Sequence, residues 1–355
     1  MLRFGLILLF ALPLTLSAQE AKKALPPQEA KKALLKILDR PKVAADLRVV
    51  GEAKEEKGLI TEHFSFASEK KADGSIERVP VLLVRPAKEG KYPVMIVLHG
   101  TGGNKEGQKS WLVDFANRGV IGVAVDARYH GERVPNVKGS AAYVEAITKA
   151  WKTPKDQPQE HPFYYDTVWD LWRLVDLLET RKDVQPNKIG MLGISMGGIQ
   201  TWLAASVDDR IQVAAPLIGV QSFRWSLEND RWDGRAKTIQ AAHEAAAKDL
   251  GEVKVNRKVC QVLWSKVIPG ILDDFDCPNL LPLFAGRALF IANGTGDPNC
   301  PIEGARIAIA SAEKAFKEAN CPEKLKILIE EVKHTVTPEA RKMAIDFCVK
   351  TLIDN

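Results

Sequence analysis

With 355 residues, 46% of them hydrophobic and 27% charged, the chain can bury a full core and has the make-up of a folded globular protein. A formal charge of +5 over this length, with no long Lys/Arg cluster, argues against nucleic acid as a partner. The Lys-Lys steps at 22–23 and 31–32 read as solvated faces of short helices.

Taken in chain order, residues 1–18 stand apart. Arg3 gives a positive start, residues 4–16 (FGLILLFALPLTL) carry no charge, and Ser17-Ala18 places small residues before Gln19. This is the layout of a secretory signal peptide. A membrane anchor needs about 20 apolar residues, whereas this run is shorter and contains Pro13. The first cysteine is Cys260, so no cysteine stands at the cleavage point to carry a lipid. The expectation is a secreted or periplasmic protein with no stable membrane insertion after cleavage.

Residues 19–58 form a polar leader. QEAKKAL occurs at 19–25 and again at 28–34, around Pro26-Pro27, and the second copy predicts a short amphipathic helix over about 28–38. From 59 onward apolar runs predict strands at 59–66, 78–85, 93–98, 120–125, 188–193, 212–219, 287–292 and 325–331. Helical patterns fall at 105–118, 163–182, 196–207, 302–319 and 338–352. In 163–182, Val168, Leu171, Trp172, Val175 and Leu178 make the apolar face, with Asp170, Arg173 and Asp176 as a polar stripe beside it. Apolar strands alternating with helices predict an α/β fold: a doubly wound, mostly parallel sheet of about eight strands. The first two strands form an antiparallel hairpin at its edge. Residues 220–285 show no strand–helix alternation and read as a helical cap inserted within a main domain of 59–355. The five cysteines are all in the last hundred residues, and their spacing fixes no disulfide pairing and offers no zinc motif.

Candidate chemistry starts at GISMGG (193–198). A G-x-S-x-G string arises by chance in roughly one chain of this length in ten, so its surroundings decide. Ser195 follows a strand and precedes a helix, where a sharp turn needs tiny neighbours and the helix N-terminus favours an anion. A serine needs a base, and the base needs an orienting acid. His334 lies just beyond the strand 325–331 and Asp297 just beyond 287–292. Both are at the carboxyl end of the sheet, where open parallel sheets bind ligands. Asp273, Asp274 and Asp276 compete for the acid position. The backbone N–H of Met196 is one donor for an oxyanion hole, and Thr101 or Gly102 in the loop HGTGG (99–103) is the other. His99 and His130 read as loop residues, and His63, His161 and His243 have no assigned role. No histidine pair has metal-ligand spacing, so neither metal nor cofactor is expected. Trp225, Trp232 and Trp264 fall in the cap, where packing is the ordinary reading and sugar stacking the alternative.

HGTGG, DARYHGER (126–133), GISMGG, the Asp of NGTGDPNCP (293–301) and the His of EVKHT (331–335) together resemble the α/β-hydrolase superfamily. The likeness covers roughly residues 60–353. It points to the branch with dienelactone hydrolases, acetyl-xylan-esterase-like enzymes and prolyl-oligopeptidase-type catalytic domains. The resemblance implies Ser195 as nucleophile, Asp297 as acid, His334 as base and a structural role for DARYHGER. A secreted serine hydrolase cleaving small-molecule or carbohydrate esters through an acyl-enzyme is the expectation. The alternatives are a peptidase on the same machinery without a propeller, or a non-catalytic binding protein on a hydrolase scaffold. The leader and the 220–285 block match nothing in the family pattern.

Overall fold

The computed structural model describes residues 24–354, so the expected signal peptide lies outside the described residues. In chain order the strands are β1 (Arg48–Val49), β2 (Lys54–Glu56), β3 (Leu59–Lys70), β4 (Ile76–Pro86), β5 (Tyr92–Leu98), β6 (Ile121–Val125), β7 (Val184–Ile194), β8 (Ile211–Leu217), β9 (Ala288–Gly294) and β10 (Leu325–Glu330). All ten join one sheet in the order β1-β3-β4-β6-β5-β7-β8-β9-β10, with β2 also paired to β3. The pairings of β1 to β4 among themselves and of β4 with β6 are antiparallel; from β6 to β10 every pair is parallel. The two strands beyond the expected eight are β1 and β2. They are two and three residues long and fully exposed, so they carry no apolar run to read.

The helices are α1 (Pro27–Leu38), α2 (Lys109–Ala116), α3 (Ala141–Lys152), α4 (Tyr165–Glu179), α5 (Met196–Val207), α6 (Phe223–Glu228), α7 (Asp233–Lys237), α8 (Gln240–Asp249), α9 (Arg257–Val267), α10 (Cys277–Leu280), α11 (Ile302–Glu318) and α12 (Pro338–Asp354). Among the described residues no helix is long and apolar enough to cross a membrane. Strand alternation sorts the core into two layers. Val94, Ile96 and Leu98 of β5 face one cluster with α4, α5, α11 and the helices after β8, while Met95 and Val97 face the other with α2 and α12. Continuous apolar strands are what a sheet covered on both faces demands. α1 buries Ala30, Leu34 and Leu38 in the first cluster, which ties the leader to the main body. Between β8 and β9 the chain is helical, α6 to α10, with no strand. α3 was not among the expected helices, although Tyr143, Ala146, Ile147 and Ala150 recur at helical spacing and are buried. All five cysteines are buried free thiols.

The polar stripe of α4 is not a solvated face. Asp170 is 1% exposed and receives hydrogen bonds from Arg128 Nε at 2.7 Å and Arg133 Nη1 at 2.7 Å, and from the Ser68 hydroxyl. Arg128, itself buried, also donates to Glu69 at 2.7 Å. Periodicity registered the charges but not their partners, which come from a loop some forty residues away in sequence. Burial alone would raise the pKa of Asp170, yet Arg128 and Arg133 outweigh it and hold the carboxyl well below the usual range. The stabilisation is therefore present above pH ~4 and fades as the pH falls further. This network fixes the 126–133 segment behind the site. Breaking one partner of a buried pair leaves an uncompensated charge, typically costing about 3–5 kcal/mol. Asp170→Asn is expected to lower unfolding stability by that amount in urea titrations at neutral pH; a loss under about 1 kcal/mol would remove the network from its structural role.

Candidate active site

β7 ends at Ile194 and α5 begins at Met196, leaving Ser195 alone in the turn with φ 57° and ψ −112°. A non-glycine residue held there stores on the order of 1–3 kcal/mol of strain, so its surroundings must enforce it. They do so by close approach. A Cβ on Gly193 would lie 2.1 Å from the Gly197 carbonyl oxygen, and one on Gly197 would lie 2.6 Å from that of Leu98. The Ser195 N–H donates to Leu217 O at 2.9 Å, and Ser195 O accepts from Ile199 N–H at 3.0 Å. The hydroxyl is left at the N-terminus of α5, where the helix dipole favours negative charge.

His334 and Asp297 reach the same point from the ends of β10 and β9. His334 Nε2 is 2.7 Å from Ser195 Oγ, and His334 Nδ1 is 2.7 Å from Asp297 Oδ2. A carboxylate can only accept, so Nδ1 carries the proton and Nε2 is free to accept from the serine hydroxyl. The other oxygen of Asp297 accepts from the N–H groups of Asn299 at 2.7 Å and Cys300 at 3.1 Å. Asp297 is 1% exposed, so protein donors replace its hydration. The competing acids are engaged elsewhere. Asp276 caps α6 and α10 through Phe223 N–H and Cys277 N–H, Asp273 binds Arg224, and Asp274 accepts from Leu25 N–H.

Two histidines lace the loops beside the serine. Gly102 N–H donates to His130 Nε2 at 3.1 Å, while His130 Nδ1 faces Arg128 O at 2.9 Å. Reciprocally, Ala127 N–H donates to His99 Nε2 at 3.1 Å, and His99 Nδ1 faces Gly100 O at 2.8 Å. Both rings must be neutral to accept. The sequence left Thr101 and Gly102 open as the second oxyanion donor. The Gly102 amide is occupied by His130, whereas the Thr101 N–H makes no hydrogen bond among the described residues and Thr101 lines the cleft with Ser195. Met196 N–H, first in its helix, has no intrahelical acceptor.

The cleft has a volume of about 680 Å³ and is lined by Thr101, Trp111, Ile194, Ile218, Thr238 and Asn299, with Thr335, Thr337 and Arg341 on the His334 side. Its aromatic residue is Trp111 of α2, capped by the Arg341 guanidinium 4.1 Å above the ring. Sequence reasoning singled out neither residue, because α2 and α12 meet only in the fold. The cap tryptophans do not line the cleft: Trp264 is buried and donates to His243, Trp232 donates to Asp230, and Trp225 packs on Gly304. Among the described residues, one trio of side chains comes close enough to share a cation, Asp297, Cys300 and His334, with ligand atoms within 4.8 Å. Their chemistry fits hydrogen bonding better than a metal. Burial pushes the Cys300 thiol up to about 12, and its S–H donates to Ile218 O.

Residues 64–223, under half of the chain, match the family model described as acetyl xylan esterase. Acetyl xylan esterase 1 from Thermoanaerobacterium sp. JW/SL YS485 superposes with a TM-score of 0.65 at 17% identity, covering 93% of this chain and 95% of that one. The chain has the α/β-hydrolase fold and is similar to acetyl xylan esterases. This fold is shared as well by a glucuronoyl esterase from Solibacter usitatus, with a TM-score of 0.61 at 16% identity over 98% of this chain and 99% of that one. In sequence it is 30% identical over 155 residues to the Bacillus subtilis (strain 168) protein named "Putative hydrolase YtaP", 40% of this chain and 48% of that protein. It thus spans about half the length of that curated relative. The family match includes Ser195 and both laced loops but stops before Asp297 and His334.

Burial lowers the pKa of His130, to about 4 with His99 adding repulsion, and burial lowers those of His99 and of His243, the latter also to about 4. An unfolded histidine titrates near 6.5. The neutral rings are the folded forms, so stability is full above about pH 6.5 and falls as the pH drops toward about 4. Denaturation midpoints measured from pH 7 to 4 should fall across this window, and His130→Asn should flatten the fall. An unchanged slope in that variant would show that His130 is not held neutral by the fold.

Proposed function

We propose that this α/β-hydrolase is a secreted serine esterase that cleaves carboxylic esters, with acetylated carbohydrates as the favoured substrate class. The observation that carries the reading is the unbroken hydrogen-bonded line from Ser195 Oγ through His334 to Asp297, opening on a cleft with the Thr101 and Met196 amides beside it. Ser195 attacks the acyl carbonyl while His334 Nε2 takes its proton, and Asp297 stabilises the imidazolium. The developing oxyanion is met by Met196 N–H and Thr101 N–H. The imidazolium protonates the departing alcohol, leaving the acyl group on Ser195. Water, deprotonated by the same imidazole, then releases the acid and restores the serine. The polar rim of Asn299, Thr335, Thr337 and Arg341 suits a hydroxylated alcohol portion, and the match to the acetyl xylan esterase family supports an acetyl acyl group. Export is part of the reading and rests on the pattern of residues 1–18.

Ser195→Ala should reduce kcat on phenyl acetate and acetylated xylo-oligosaccharides by about 10⁴-fold or more with little change in melting temperature. Asp297→Asn should lose about 10³–10⁴-fold, since the imidazole would then present the wrong tautomer. Full turnover in Ser195→Ala would contradict the reading, and faster cleavage of matched amides than of esters would make the enzyme a peptidase.

A further inference from the structure

The cap meets the catalytic acid through two consecutive residues of α7. Gly234 lies flush against the acid turn, where an added Cβ would sit 2.0 Å from the Pro298 carbonyl oxygen. Arg235, 1% exposed, sends its Nη2 to Asn299 O at 3.0 Å and to Cys300 Sγ at 3.2 Å. Gln221, with its amide turned so that donors face acceptors, accepts from Arg235 Nε and Nη2 at 3.1 Å each and donates to Asn299 O at 3.0 Å. The guanidinium also lies 5.9 Å from the centroid of Phe223. Among the described residues Arg235 forms no ion pair within 4 Å; the carboxylate whose charge acts on it most is Asp297. Burial works against this guanidinium's charge, and what offsets it comes from groups that form no ion pair with it, Asp297 among them.

What Arg235 grips explains its place. Asn299 and Cys300 are the two residues whose N–H groups hold Asp297 Oδ1, the oxygen turned away from His334. Resting on the serine-esterase reading, we propose that Arg235 is a positioning residue. With Gly234 as its seat, it clamps the 297–300 turn so that Asp297 Oδ2 stays in line with His334 Nδ1. Activity thereby depends on the docked cap, although α7 supplies no group to the reacting atoms. Thr238, one residue beyond α7, lines the cleft, so the element that seats the acid also forms a wall of the substrate site.

The test is kcat per site titrated with a fluorophosphonate, so that only folded, competent protein is counted. Arg235→Met is expected to lower kcat about 10- to 100-fold with KM changed less than about 2-fold, as for a misplacement of the order of 1 Å. In an Asp297→Asn background the same substitution should cost less than about 3-fold more, because its effect runs through that carboxylate. Gly234→Ala leaves every charge in place and should show the same kcat-specific loss, which keeps the test available if Arg235→Met does not fold. Arg235→Lys, which keeps the charge but cannot bridge the carbonyl and the sulfur, should not restore kcat. Unchanged kcat in Gly234→Ala, or losses that simply multiply in the Asp297→Asn background, would overturn the clamp. Ser195→Ala, with its concentration set by absorbance and its fold checked by circular dichroism because it has no serine to titrate, separates this from failure of the underlying reading, since retained turnover there would remove the nucleophile itself.

Discussion

The two oxygens of one buried carboxylate, Asp297, point in opposite directions and both are committed. One takes the His334 proton-bearing nitrogen; the other takes the N–H groups of its own turn. In water such a group would be free to rotate. Here, replacing solvent by fixed donors converts a flexible side chain into a reference point against which an imidazole, and then a hydroxyl, are aligned. The alignment needs three strand ends at one rim of the sheet, and the parallel order of β7, β8, β9 and β10 brings them there. The strain at Ser195 persists because Gly193 and Gly197 let two backbones approach more closely than any side chain would permit.

A second chain of dependence runs behind the substrate side of the cleft. The Arg128–Asp170 network holds the 126–133 segment, that segment carries His130, and His130 occupies the Gly102 amide. Thr101, beside Ser195 in the cleft, keeps an N–H that makes no hydrogen bond among the described residues. Groups that look remote from chemistry, a buried ion cluster and two neutral histidines, thus determine which amide is free. The helical segment between β8 and β9 gives the cleft Thr238, while Gly234 of α7 packs directly on the turn that carries Asp297.

Much of this was legible from residue order. Strand–glycine–serine–glycine–helix fixes a turn by steric necessity, and six histidines leave few candidates for a base. The apolar strands were visible because both faces of the sheet are covered. What escaped did so for physical reasons. β1 and β2 are short and exposed, so they bury nothing that periodicity could register. The polar stripe of α4 showed Asp170 but not its partners, because they come from another loop and composition cannot report a long-range ion pair. Trp111 and Arg341 stack only because α2 and α12 cover the same face, whereas the cap tryptophans, conspicuous in sequence, were taken up by packing and local hydrogen bonds. That the Gly102 amide is taken by His130 is a backbone detail that no motif encodes.

Trapping the covalent intermediate addresses the central claim most directly. The enzyme would be mixed with excess phenyl acetate, quenched in acid within milliseconds, digested and analysed by mass spectrometry. A single acetyl group is expected on the peptide containing Ser195, appearing with the burst of phenol and absent after full turnover. Product formation at the same rate with Ser195 unmodified at every quench time, or with the acetyl group on another side chain, would contradict it.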